Sequence, residues 1–228
     1  MGFFTVNPAP FLFSLDPLRN FFDYTSAIAW SNEEALPSGE GLPVLVLPGF
    51  GASGAATAYL RTKLGQLCHE VHDWAGGINF GHVGEIDQWL SPLSAQLRRI
   101  HASDGKRINI VGWSLGGTYA YALRNKHPDL IDKVVTLGTP FDSPPSISAT
   151  RLNDGLPEEV DTSASLRDQT NPARSSLSIY SRSDGIVEWE KCLLPEVAGH
   201  RNVEVTDVDH FGMVYHPKVL KVIAQFLA

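Results

Sequence analysis

The stretch that most constrains this chain is Gly112-Trp113-Ser114-Leu115-Gly116, with Gly117 directly after it. An apolar run, Ile108–Val111, leads in, and Tyr119, Ala120, Tyr121, Ala122 and Leu123 lead out with helix-favouring character. A serine between two glycines, wedged between a strand and a helix, occupies a sharp turn with strained backbone. The glycines remove Cβ atoms that would otherwise strike the neighbouring elements, and the hydroxyl is lifted above the sheet. The helix that begins there turns its free N–H groups toward any negative charge developing at Ser114. The residues therefore mark Ser114 as a nucleophile rather than a helix cap.

The rest of the chain alternates in a way that fits this turn. Val44–Leu47 is a short continuous apolar run ending at Pro48-Gly49, the pattern of a strand buried on both faces. Helices are expected at about 57–67 and 85–101, where Pro92 predicts a kink or break. Further helices are expected at about 115–126 and at 217–227. Strands are expected at 107–111, 133–137, 176–180 and 202–206. Such alternation implies βαβ units, hence an α/β fold with a mainly parallel central sheet and helices on both faces. Residues 1–41 form an extension and connector in which Asp16-Pro17 starts an amphipathic helix. Residues 42–228 form the main domain. Within it, 142–174 is polar and rich in Pro and Ser, the look of a lid-like or cap insertion.

A serine hydroxyl needs a base. Of the eight histidines, His127 and His216 precede prolines at helix ends and read as solvated end residues. His69, His72 and His101 lie in or beside helices ahead of the nucleophile. His210 follows the strand at 202–206 and precedes the last helix, so it belongs to a loop at the carboxyl edge of a parallel sheet. His82 is its main competitor. The base in turn needs an acceptor to fix its tautomer. Asp184 follows the strand at 176–180 and is the first choice, with Asp207 and Asp209 as alternatives. An oxyanion requires backbone donors: the N–H of Leu115, next to the nucleophile, and that of Phe50 in the glycine-rich loop after Val44–Leu47. Trp113, Phe141 and Phe211 are the apolar residues expected to meet substrate around Ser114.

Charge and cysteine content narrow the class. The net charge is −7 and the 18 Lys and Arg are dispersed, so the basic face that nucleic-acid binding needs is missing. Cys68 and Cys192 suit neither a disulfide framework nor a metal site. No cofactor or metal is expected. The apolar N-terminus has no basic start and is interrupted by Pro8 and Pro10, unlike a signal peptide, and no run reaches the ~18 apolar residues of a membrane span. The expected location is the cytoplasm. Membrane-surface contact through the N-terminal helix is the sharper alternative to core packing, weakened by the lack of a basic cluster on its polar face.

Five segments, VLVLPGFGAS (44–53), INIVGWSLGG (108–117), VVTLGTPF (134–141), SIYSRSDGIVEW (178–189) and DVDHFGMVYHP (207–217), resemble the α/β-hydrolase fold family, in particular its bacterial lipase- and esterase-like members. The resemblance implies a triad at Ser114, Asp184 and His210 and oxyanion donors at Phe50 and Leu115. It also implies that Trp74 and the loop 76–81, including Asn79, line the site. Two features depart from lipases: Pro48-Gly49 stands where many have His-Gly, and the segment 142–174 is too polar for a strongly interfacial cover. The expected activity is hydrolysis of short- to medium-chain acyl esters through an acyl-enzyme. The alternative is an acyltransferase that hands the acyl group from Ser114 to an alcohol or amine. A non-catalytic binding protein would be expected to lack a triad member, and all three are present.

Overall fold

The structure, a computed structural model, describes residues 36–67, 69–82, 86–141 and 175–228. Among these residues six strands form one sheet: β1 (Val44–Leu47), β2 (Val71–Asp73), β3 (Ile108–Trp113), β4 (Ile131–Leu137), β5 (Ser176–Tyr180) and β6 (His200–Glu204). Their order is β2-β1-β3-β4-β5-β6 and every neighbouring pair is parallel. Parallel neighbours need crossovers. These include α1 (Ala58–Gln66) after β1, α2 (Ile86–Trp89) and α3 (Ser91–Asp104) before β3, and α4 (Leu115–Lys126) after it; α5 (Pro217–Leu227) closes the chain.

The apolar run of β1 is continuous because both faces of the sheet are covered. Val44 and Val46 pack with Leu60 and Leu64 of α1 and with Val219 and Ile223 of α5. Leu45 and Leu47 point the other way, into a cluster with Leu93 and Leu97 of α3 and Tyr119 and Leu123 of α4. The period-2 alternation of a strand divides one tetrapeptide between two cores. The chain leaves β1 toward β2 on one side, and β3 to β6 build out on the other. The carboxyl ends of β1 and β3 thus flank the switch point where open α/β sheets place their crevice.

Several elements differ from the sequence expectation. The helix expected at 85–101 is two helices, because Pro92 stands at the start of α3, where its missing N–H leaves no bond unmade. β4 begins at Ile131, and β6 ends at Glu204. β2 was not anticipated: it is a three-residue edge strand with a single apolar residue, Val71, too short to show a period. The N-terminal amphipathic helix, the lid-like insertion at 142–174 and Cys68 lie outside the described residues. Among the described residues, no helix is long and apolar enough to cross a membrane.

His216 is not a plain solvated end residue. It is half-buried and caps α5, its Nδ1 accepting a hydrogen bond from the Lys218 N–H at 3.1 Å. A protonated ring loses that acceptor. Burial, and then the Lys218 charge, pull its pKa down to about 4, with Asp207 opposing them. The folded-state value lies below the unfolded one of about 6.5, so the neutral ring stabilises the fold above that pH. That contribution is lost as pH falls from about 6.5 toward 4. In His216→Asn, which caps without titrating, thermal melts should show a shallower fall of Tm over this window than in the wild type.

Candidate active site

Ser114 sits between β3 and α4 with φ 53° and ψ −124°, a left-handed-side conformation rare for a residue with a side chain. Strain of this kind is worth about 1–3 kcal/mol and persists only when its surroundings over-determine it. Here they do. The Ser114 N–H donates to Leu137 O at 2.8 Å, continuing the β3–β4 ladder. Its carbonyl accepts from the Gly117 N–H at 2.9 Å and from the Thr139 hydroxyl at 3.0 Å. The flanking glycines are sterically required. A Cβ on Gly116 would collide with the Leu47 carbonyl, one on Gly112 with the Gly116 carbonyl, and one on Gly117 with the Thr139 hydroxyl.

His210 and Asp184 arrive from the loops after β6 and β5. Both are buried, and the His210 Nδ1 lies 2.7 Å from Asp184 Oδ2. A carboxylate accepts only, so Nδ1 carries the proton and the lone pair is left on Nε2. The other Asp184 oxygen accepts from the N–H groups of Ile186 and Val187, both at 2.8 Å, which fixes the carboxylate plane. The Trp113 indole N–H donates to the His210 carbonyl at 3.0 Å and its ring lies 5.6 Å from the imidazole. The residue before the serine therefore holds the loop that carries the histidine.

Ser114 and His210 open into one cavity of about 410 Å³, bordered also by Phe50, Trp113, Leu115 and Phe211. Gly49 brings the loop after β1 so close that a Cβ there would sit 3.2 Å from the Ser114 Cβ. The N–H groups of Phe50 and Leu115 have no backbone acceptor among the described residues. The Phe50 side chain is 44% exposed at the cavity mouth, where Glu188 and Lys191 form an ion pair at 2.9 Å.

Other expected site residues fall elsewhere. Phe141 is buried against Tyr121, ring to ring at 5.4 Å, and lies outside the cavity lining. Pro140, one residue earlier, faces the cavity in its place. Asn79 is 1% exposed and also outside the lining, beneath the loop after β1. Trp74 and the neighbouring Ile78 and Phe80 line a different cavity of about 520 Å³, against α2 and α3. His82 is buried in an aromatic cluster, its Nδ1 3.3 Å from the Tyr119 hydroxyl. Asp207 is exposed 3.9 Å from Lys218 Nζ, and Asp209 accepts from the Gly212 N–H at 2.5 Å, shaping the turn after His210. Gly138, inside VVTLGTPF, joins the Asp184–His210 pair with no sequence expectation attached to it. It has φ 54°, and a Cβ on it would lie 3.0 Å from Asp184 Oδ2 and 3.1 Å from His210 Nδ1. Cys192 is buried, and burial pushes its thiol up, out of thiolate chemistry. Among the described residues no group of three or more His, Cys, Asp or Glu is placed to hold a metal ion.

The family model of the alpha/beta hydrolase fold matches residues 43–156, half of the chain. The chain belongs to that family. Of curated proteins, it is similar to the pimeloyl-(acyl-carrier protein) methyl ester esterase of Aliivibrio fischeri strain MJ11, 27% identical over 117 residues. The match covers 50% of this chain and 41% of the relative, so the chain spans well under half of that protein's length. Of solved structures, it resembles the mature lipase BlEst2 of Bacillus licheniformis, with a TM-score of 0.63 at 17% identity over 86% of this chain and 96% of the other. A bromoperoxidase from Bacillus anthracis is also similar, with a TM-score of 0.58 at 17% identity over 83% and 93%. A fold shared by enzymes of such different names leaves the chemistry to be argued from the site.

Gly138 offers a direct check on how tightly the pair behind Ser114 is packed. Gly138→Ala combines a positive φ with a Cβ pressed on Asp184 and His210. Denaturant unfolding should show it less stable by about 1–3 kcal/mol.

Proposed function

We propose that this protein hydrolyses carboxylic esters through a covalent acyl-enzyme on Ser114. The observation that carries the reading is the His210–Asp184 hydrogen bond, 2.7 Å long and buried, behind an imidazole that shares one cavity with a strained serine. In this reading His210 Nε2 takes the Ser114 hydroxyl proton as the oxygen attacks the ester carbonyl. The Phe50 and Leu115 N–H groups receive the charge that develops on the carbonyl oxygen. The tetrahedral intermediate collapses, the C–O bond to the alcohol breaks, and the imidazolium returns the proton to the leaving alkoxide. Water, deprotonated by the same Nε2, then attacks the acyl carbon; the bond to Ser114 Oγ breaks, the imidazolium returns the proton to that oxygen, and the carboxylic acid leaves. Asp184 stays ionised throughout and stabilises the imidazolium.

The substrate class proposed is a short- to medium-chain acyl ester, in keeping with an apolar cavity of about 410 Å³. Acyl transfer to an alcohol or amine would use the same first half-reaction. The apolar faces of Trp113 and Phe211 favour it by excluding water, but the Glu188–Lys191 pair keeps the mouth polar and favours water as acceptor. Product analysis with an added alcohol separates the two.

Turnover of p-nitrophenyl esters of graded chain length, together with labelling by a fluorophosphonate, tests the proposal. Ser114→Ala should lose labelling and drop kcat by about 10⁶-fold, and Asp184→Asn should drop it by about 10⁴-fold. Full labelling or turnover in Ser114→Ala would refute the nucleophile. Unchanged turnover in Asp184→Asn would move the acid elsewhere.

A further inference from the structure

Asn79 holds the loop after β1 from both ends. Its side-chain N–H donates to the Pro48 carbonyl at 2.8 Å. Its own carbonyl accepts from the Gly51 N–H at 2.7 Å, and its N–H donates to the Ala52 carbonyl at 2.8 Å. The side-chain oxygen accepts from the Gly81 N–H at 3.1 Å, which fixes the amide orientation. Every polar atom of the residue is thus engaged, and the side chain is 1% exposed. The peptide that carries the Phe50 N–H lies between two of these fixed points, the Pro48 carbonyl and the Gly51 N–H. Gly51 adopts φ 71°, so this short loop turns sharply and has no regular ladder to hold it. Within the loop the Ala52 N–H donates to the Gly49 carbonyl at 3.2 Å, so the Gly49–Phe50 peptide belongs to a turn, and the Asn79 contacts set where that turn sits relative to Ser114.

We infer that Asn79 is the positioning residue of the oxyanion hole, keeping the Phe50 N–H aimed at the carbonyl oxygen above Ser114 without touching substrate. The inference rests on the ester-hydrolase reading for its kinetic consequence and on the hydrogen bonds alone for its structural one. A group that only aims a donor acts where charge has developed, so it stabilises the transition state more than bound substrate.

Asn79→Ala is compared with the wild type on one p-nitrophenyl ester, with the active fraction counted by fluorophosphonate titration and the fold checked by circular dichroism. The expected result is a kcat about 100-fold lower, a KM within threefold, and a Ki for an alkylboronic acid raised in step with the loss in kcat, because the boronate adduct is tetrahedral. The pH dependence of kcat/KM should keep its midpoint, since His210 and Asp184 are untouched. A kcat within threefold of wild type, or a raised KM at constant kcat, overturns the inference; the latter would make Asn79 a substrate contact. Should the variant not fold, amide exchange in the wild type decides. The Asn79 side-chain N–H bound to the Pro48 carbonyl is expected to be protected and the Phe50 N–H to exchange freely, and a side-chain amide exchanging at the rate of an exposed asparagine overturns the clamp. Exchange also separates the two claims: a wild type that cleaves no ester yet protects the Asn79 side-chain amide defeats the hydrolase reading and leaves the clamp standing.

Discussion

The backbone of Ser114, held at φ 53° where β3 gives way to α4, is the constraint around which the rest of the site is arranged. The N–H groups of Ser114 and Gly117 and the Thr139 hydroxyl keep it there through three hydrogen bonds, and Gly112, Gly116 and Gly117 make room for it. In the proposed reaction the strain has a chemical use. It presents a hydroxyl outside the sheet while the next N–H, that of Leu115, stays at a helix start with no backbone acceptor among the described residues. Thr139 comes from the segment after β4, so the geometry of the serine already depends on a neighbouring strand.

The parallel sheet does the remaining assembly. Because every strand runs the same way, the loops after β1, β3, β4, β5 and β6 all emerge at one edge. That edge collects Gly49 and Phe50, Ser114, Gly138, Asp184 and His210 from segments far apart in sequence. Cross-links then couple the loops. Trp113 ties the Ser114 turn to the His210 carbonyl, Gly138 leaves space for the Asp184–His210 pair, and Asn79 anchors the loop after β1. Each link is short and buried, which is what a preorganised site requires of its supports.

How much of this the sequence disclosed depended on whether the signal was local. Ser114 announced itself through adjacent glycines and a change of period from strand to helix. Asp184 and His210 were legible because each follows an apolar strand in a short polar loop, and topology brings such loops together. That Asn79 and Phe141 lie outside the lining of the Ser114 cavity was not legible, for the opposite reason. Their roles are set by which way a non-repetitive loop turns, and a glycine-rich stretch carries no period from which to read that. Gly138 was visible only inside a familiar-looking Gly-Thr-Pro string, since the groups that demand a glycine there lie 46 and 72 positions further along the chain. β2 escaped because an edge strand of three residues is specified by pairing with β1 and not by its own pattern.

The central claim is that Ser114 becomes covalently acylated during turnover. Rapid acid quench of the wild-type protein mixed with a p-nitrophenyl ester, followed by intact-mass and peptide analysis, reads this directly. The account predicts a transient mass increase equal to the acyl group, confined to the peptide that contains Ser114. Turnover with no adduct on that peptide, or with the acyl group carried on another residue, would contradict it.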